Sequence, residues 1–151
     1  KNRSHMKKTI LMLVCGLLAG YWALAGTNAG KTFGDLPEIS QMFLQKYFPD
    51  DRIMRIKVDR HNTHPYKYKV EMDRGVYVEF DGGGDWSKIV SNRYPLPAGV
   101  VPKPIIAYIR QHYPNHSVRI LEQNVKNYTV VLTGGLDLVF DLNGRFIRKA
   151  N

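Results

Sequence analysis

The chain says the same thing twice. The stretch Leu36-Pro37-Glu38-Ile39-Ser40-Gln41-Met42-Phe43-Leu44-Gln45-Lys46-Tyr47-Phe48-Pro49 aligns without a gap on Val101 to Pro114, 65 residues later. Farther on, Tyr68 to Gly75 aligns on Tyr128 to Gly135 and Phe80-Asp81 on Phe140-Asp141, where the offset has fallen to 60. The first copy therefore carries about five extra residues, and the polar stretch Asp59 to Pro65 reads as the longer hairpin loop that holds them. Repetition on this scale constrains the fold more than any single motif, because each copy must be one supersecondary unit too small to bury a core alone.

Each copy opens with a helix signal. A proline stands near the first turn, and apolar residues follow at helical spacing: Ile39, Met42, Phe43 and Tyr47 in one, Ile105, Tyr108, Ile109 and the aromatic His112 in the other. A second proline closes each helix. The period then changes to two. Tyr66, Tyr68, Val70 and Met72 share one face of a strand while Lys67, Lys69 and Glu71 share the other, the alternation of a half-buried antiparallel strand. Val76, Val78 and Phe80 point inward in the next strand, Met54, Ile56 and Val58 mark an earlier one, and Trp86 to Val90 a shorter later one. A linker from Val90 to Val100, with Pro95, Pro97 and Gly99, joins the copies. The predicted class is α+β: two tandem helix-plus-antiparallel-strand repeats, residues 36–90 and 101–149, sharing one domain, with both helices packed on one face of one continuous sheet.

The repeat also decides how to read Asp81-Gly82-Gly83-Gly84. It occupies the place of Asp141-Leu142-Asn143-Gly144, between a strand ending in Phe and one beginning with Trp86 or Phe146. A tetrad led by Asp and ended by Gly between alternating strands is a hairpin turn, since Gly and Asn tolerate positive φ. A phosphate loop would need a helix N-terminus after it, which Trp86-Ser87-Lys88-Ile89-Val90 does not suggest. Calcium binding through Asp81 and Asp85 would lack the glutamate and loop length of an EF-hand.

The N-terminal residues carry an address rather than a fold. Lys7-Lys8, an apolar run from Thr9 to Ala19 and an Ala23-Leu24-Ala25 cleavage site read as a secretory signal from Met6 to Ala25. Lys1 to His5 precede the initiator Met and read as a vector remnant. The apolar run is shorter than the ~20 residues of a membrane span, so no stable span is expected after cleavage. Removing Lys1, Arg3, Lys7 and Lys8 takes 22 basic residues to 18 against 13 acidic, a balance of +5 rather than +9. The raw charge thus overstates any case for nucleic acid, and none is expected as a partner. Cys15 is the only cysteine and lies in the signal, which excludes disulfides, thiol catalysis and thiolate metal sites from the mature chain. At 44% hydrophobic and 23% charged residues, the chain has the composition of a packed globular protein.

A signal peptide followed by two copies of L-P-x-x-x-x-x-F-[IL]-x-K-Y-F-P, a strand, and Y-x-V-x-[LM]-x-x-G-x-x-x-x-F-D-x-x-G-x-W resembles the PepSY-like family of small secreted bacterial proteins, over Leu36 to Lys149. That family is similar in fold to beta-lactamase-inhibitor protein, whose tandem units form a concave sheet that grips its target. The resemblance implies a periplasmic or secreted, non-catalytic protein-binding module, with inhibition of an envelope enzyme such as a peptidase as its leading form. It brings no catalytic residue and no cofactor. Gly82-Gly83-Gly84 departs from the family pattern in its flexibility, and Ile105 and Val118 make the second copy less polar.

The residues themselves offer little chemistry. His61 and His64 flank a loop, and Pro114 separates His112 from His116, so neither pair is expected to hold a metal. No G-x-S-x-G or H-E-x-x-H is present, and an enzyme ranks third among the readings. The second face of the predicted sheet says more. In the first copy it carries Arg55, Lys57, Lys67, Lys69, Glu71, Tyr77 and Glu79; in the second, Leu121, Thr129, Val131, Thr133, Asp137 and Val139. Leu121, Val131 and Val139 are three apolar side chains on a nominally wet face, with Tyr77, Trp86 and Tyr94 as aromatic anchors nearby. The expected partner is another envelope protein or a second copy of the chain. The alternative is a small ligand or lipid held between helices and sheet by Phe43, Tyr47, Tyr66 and Tyr68.

Overall fold

A computed structural model describes residues 30–97 and 99–150. The residues read above as a vector remnant and a signal, with Cys15, lie outside the described residues. A 3-10 turn, Phe33–Asp35, leads into helix α1, Glu38–Tyr47; strands β1 Ile53–Val58, β2 Tyr68–Met72, β3 Val76–Phe80 and β4 Trp86–Ser91 follow. Helix α2, Lys103–His112, then precedes β5 Val118–Gln123, β6 Asn127–Leu132, β7 Asp137–Asp141 and β8 Phe146–Ala150. Pro37 and Pro102 hold the extended N-cap positions, and Pro104 sits in the first turn of α2, where a missing N–H costs no hydrogen bond. The last turns close through Phe48 N–H to Leu44 O at 2.8 Å and Tyr113 N–H to Ile109 O at 2.7 Å, and Pro49 and Pro114 follow at once.

The strands form one eight-stranded open sheet in which spatial order is chain order and every neighbouring pair is antiparallel. Six of the seven connections are hairpins and the seventh, between β4 and β5, carries α2, so each strand pairs with the next one synthesised. One buried row runs through seven strands: Ile56, Val70, Val78, Ile89, Leu121, Val130 and Leu138 stand opposite one another in turn. Six of the seven are fully buried. Each such side chain contributes about 1.5–3 kcal/mol by leaving water, so this row is the backbone of the core. A second row adds rings. Phe80 stands opposite Tyr68 and Trp86, and Phe140 opposite Tyr128 and Phe146. Phe43 of α1 meets Phe80 edge-on at 5.9 Å, and Tyr108 of α2 meets Phe140 edge-on at 5.4 Å, the geometry in which a ring's positive edge faces a negative face.

The ladder has four irregularities. The register shifts between Ile53 and Arg55, between Glu79 and Phe80, between Val118 and Ile120, and between Val139 and Phe140. The first and third lie 65 residues apart and the second and fourth 60 apart, the two offsets of the sequence self-match.

Two expectations are corrected, the first by a bulge. Strict alternation puts Met54 inward with Ile56; in the structure Met54 is 62% exposed, because one extra residue at the bulge changes the phase of the pleat ahead of Ile56. The α1 stripe is also rotated from the expected one. Ile39 and Met42 are exposed, while Ser40 is fully buried beside Leu44. Ser40 lies against the β3–β4 turn, where its Oγ donates to Gly84 O at 2.9 Å, so a small polar residue takes the closest approach and the flanking apolar ones turn outward. In α2, His112 is likewise exposed, stacked on Tyr108 at 4.1 Å, while Ile105 and Ile109 are buried.

Candidate functional site

Side chains alternate across a strand, so the neighbours of the buried row point to the opposite face. There Tyr77, Val90, Ile120, Val131 and Asp137 stand opposite one another in turn across β3 to β7. Beside them runs a second line: Lys57, Lys69, Glu79, Lys88, Glu122, Thr129, Val139 and Arg148. The first four members of the central row, with Val139, make an apolar strip in which Val90 and Val139 are each only 5% exposed and Tyr77, Ile120 and Val131 are partly exposed, and charged pairs flank it on the β1 to β5 side.

Those charges are mutually compensated. Lys57 Nζ lies 2.5 Å and Arg55 Nε 3.5 Å from the Glu71 carboxylate. Hydrogen bonding from Lys57 therefore holds the Glu71 carboxyl below the usual glutamate value, against the opposing effect of burial. Lys69 Nζ lies 3.1 Å from Glu79 and 3.7 Å from the centre of the Tyr77 ring, which it caps as a cation. Lys88 Nζ lies 3.1 Å from Glu122; burial works against its charge, but the carboxylate prevails and raises the ammonium above the usual lysine value. A cross-strand lattice of this kind orders the long side chains and leaves the apolar strip as the uncompensated feature.

The six residues singled out in the sequence divide. Tyr77, Val131 and Val139 lie on this face, with Val139 itself buried at 5% exposure although it is outside the main core cluster. Leu121 does not: it is fully buried in the core row between Ile89 and Val130, and Ile120 takes the outward place. The bulge between Val118 and Ile120 flips the phase, as its counterpart does at Met54. Trp86 also belongs to the core side, 6.2 Å from Phe43 and stacked over Tyr128 at 6.4 Å. Tyr94 follows β4 in the linker and is 58% exposed. Sequence reading missed Val90 and Ile120. The signal for both is a pair of adjacent apolar residues, Ile89-Val90 and Ile120-Leu121, which a strand can accommodate only by presenting one to each face.

Of the four aromatics named for a ligand, Phe43, Tyr47 and Tyr68 pack against the core, and Tyr66 stacks on His64 at 4.9 Å. A surface cleft of about 400 Å³ lies elsewhere, between Phe33, Leu44, Phe48, Ile53 and Met72. The Asp81 tetrad is a hairpin turn: Asp81 N–H bonds Asp85 O at 2.9 Å, and Asp81 Oδ1 accepts from the N–H groups of Gly83, Gly84 and Asp85. His112 and His116 bond separate carbonyls, of Tyr108 and Thr133. Among the described residues no three His, Cys, Asp or Glu side chains are grouped to hold a metal.

Residues 66–148, more than half of the chain, match the family described as "Putative beta-lactamase-inhibitor-like, PepSY-like". The chain belongs to this PepSY-like family. Solved structures agree with the family match. A "putative calcium-regulated periplasmic protein" from Bacteroides thetaiotaomicron is 28% identical with a TM-score of 0.71, over 80% of this chain and 94% of that one. A periplasmic protein of the DUF2874 family from Bacteroides vulgatus is 27% identical with a TM-score of 0.70, over 83% and 100%. Another from the same organism is 25% identical with a TM-score of 0.70, over 80% and 96%. No curated protein matches. This PepSY-like protein is periplasmic, as these relatives are, and among its described residues no helix is long and apolar enough to cross a membrane.

Proposed function

We propose that this PepSY-like protein is a non-catalytic protein-binding module, and that the strip formed by Tyr77, Val90, Ile120 and Val131 is the centre of its binding face. The observation that carries this reading is the contrast on one surface: a contiguous apolar row across four strands, beside charges that already satisfy one another. A partner covering the partly exposed Tyr77, Ile120 and Val131 gains apolar burial without stripping unpaired charges of water, which is the composition of an interface centre with a polar rim. Inhibition of an envelope enzyme such as a peptidase is the form this binding takes in the proposal. The chain is read as two copies of one unit, with both helices on the face opposite the strip. The recurrence of the bulges at offsets of 65 and 60, and the matching contacts of Phe43 with Phe80 and Tyr108 with Phe140, support that arrangement.

The test is capture of envelope proteins by the domain beginning at Gly26, compared with an Ile120→Lys/Val131→Lys variant. Both positions are partly exposed, so the variant keeps the core, whereas Val139 is too buried for a clean substitution. A partner held by the wild type and released by the variant, both with the same circular dichroism, is the expected result. Equal retention by a folded variant refutes the assignment of the face. Sedimentation of the two proteins alone distinguishes a second copy from a different partner.

A further inference from the structure

The connection from β1 to β2 spans residues 59–67, whereas the corresponding connection from β5 to β6 spans only 124–126. The short version is sufficient as a turn: Asn124 Oδ1 accepts from Lys126 and Asn127 N–H at 2.8 and 3.0 Å and closes it. The extra residues of the first copy are thus not needed to reverse the chain. They are nonetheless held in a defined shape. The Asp59 side chain is only 4% exposed; its Oδ1 accepts from His61 N–H and Thr63 Oγ, both at 3.1 Å, and its Oδ2 from His64 N–H at 2.8 Å. Asn62, at φ 52°, is the one non-glycine among the described residues in the left-handed region, a conformation that Asn adopts at modest cost.

The loop and the end of β1 enclose a cleft of about 330 Å³ lined by Lys57, Asp59, Arg60, His61, His64 and Tyr66, with Val58. Its chemistry is one-sided. The only carboxylate, Asp59, has both oxygens engaged by the loop itself. The Lys57 ammonium is bonded to Glu71, while Arg60 and His61 make no ion pair among the described residues. The Thr63 hydroxyl that meets His64 Nδ1 at 2.9 Å donates to Asp59, so it accepts from Nδ1–H and the ring's Nε2 is left as an acceptor, while the ring stacks with Tyr66 to form an aromatic wall. The Arg60 and His61 side chains supply N–H donors with no partner among the described residues.

We propose that this loop binds a phosphate or sulfate oxyanion, with Arg60 and His61 as the principal donors. A guanidinium presents a planar fork that fits two oxygens of such a group, and an ordered loop keeps the entropic cost of assembling the donors low. The site is separate from the apolar strip and stands whether or not that strip binds a protein.

The experiment is isothermal titration of the protein with inorganic phosphate and, separately, sulfate at fixed ionic strength, with amide chemical shifts to locate the site. Saturable binding that perturbs the amides of residues 59–66 is expected. Arg60→Ala and His61→Ala should each weaken it about tenfold or more, equivalent to about 1.4 kcal/mol. Arg110→Ala, on an exposed position of α2, should leave it unchanged. A sugar phosphate that binds more tightly than inorganic phosphate identifies an ester as the source, and equal or weaker binding identifies the free anion. No saturation below about 10 mM overturns the proposal. So does an equal loss from Arg60→Ala and Arg110→Ala, which would mean attraction to net charge alone.

Discussion

Replacing Gly84 with alanine tests how closely α1 is seated on the sheet. Gly84 lies at φ 97°, and a Cβ there would stand 2.6 Å from Pro37 Cβ and 3.0 Å from Ser40 Oγ. The left-handed conformation costs a residue with a side chain about 1–2 kcal/mol. Relieving the overlap requires Pro37 and the start of the helix to withdraw, at about 1–3 kcal/mol for overpacking. The same withdrawal weakens the Ser40 to Gly84 hydrogen bond, a loss of roughly 1 kcal/mol. One movement relieves and breaks these contacts together, so the contributions overlap and the expected total is about 3 kcal/mol. In urea, with a slope near 1.5 kcal/mol/M, the midpoint should fall by about 2 M. Gly82→Ala is the internal control, since nothing lies within 4 Å of a Cβ there and its φ is not in the left-handed region. Gly144→Ala, at φ 78° with a Cβ 2.9 Å from Pro104 Cβ, should cost somewhat less, because no hydrogen bond like that of Ser40 accompanies it. Equal midpoints for the Gly82 and Gly84 variants would refute the reasoning, because turn flexibility rather than helix seating would then be the role of the triplet.

Two further predictions concern β5 and the loop. Leu121→Ala should destabilise by about 2–5 kcal/mol as a fully buried leucine, and Ile120→Ala by under about 1 kcal/mol, measured by chemical denaturation; the reverse order would mean that the bulge is misplaced. The Asp59 carboxyl is held below its ordinary value chiefly by the His64 N–H, with burial opposing. Its folded value is depressed, so its stabilising effect is complete above the unfolded value of about 3.9 and is lost as pH falls through the lower folded one. The amide signals of His61 and His64 should therefore respond to the acid limb only below about pH 4, and Asp59→Asn should abolish that response. A carboxyl titrating at or above the ordinary value would contradict it.

Part of the candidate strip was legible in the sequence, and the rest escaped it for more than one physical reason. Alternation placed Tyr77, Val131 and Val139 on the face away from the core row, because β3, β6 and β7 keep the period of two at those positions. It failed for Leu121 and Met54, where a bulge inserts a residue and puts the side chains before and after it out of phase. Trp86 was named as an aromatic anchor beside the apolar face; its partners Phe43 and Tyr128 come from other elements, and local pattern carries no record of them. Ser40 was overlooked because its burial follows from a glycine 44 residues away rather than from its own polarity.

The sequence by itself determined the α+β class, the antiparallel strands, the proline-bounded helices and the identity of the turns, since these follow from local sterics and from the period of apolar residues. Only the tertiary structure decided the chain-order meander, the phase of each strand and the membership of the apolar strip. Those depend on which backbone groups pair across the sheet, and a bulge of one residue changes that pairing while leaving composition and local propensity almost untouched.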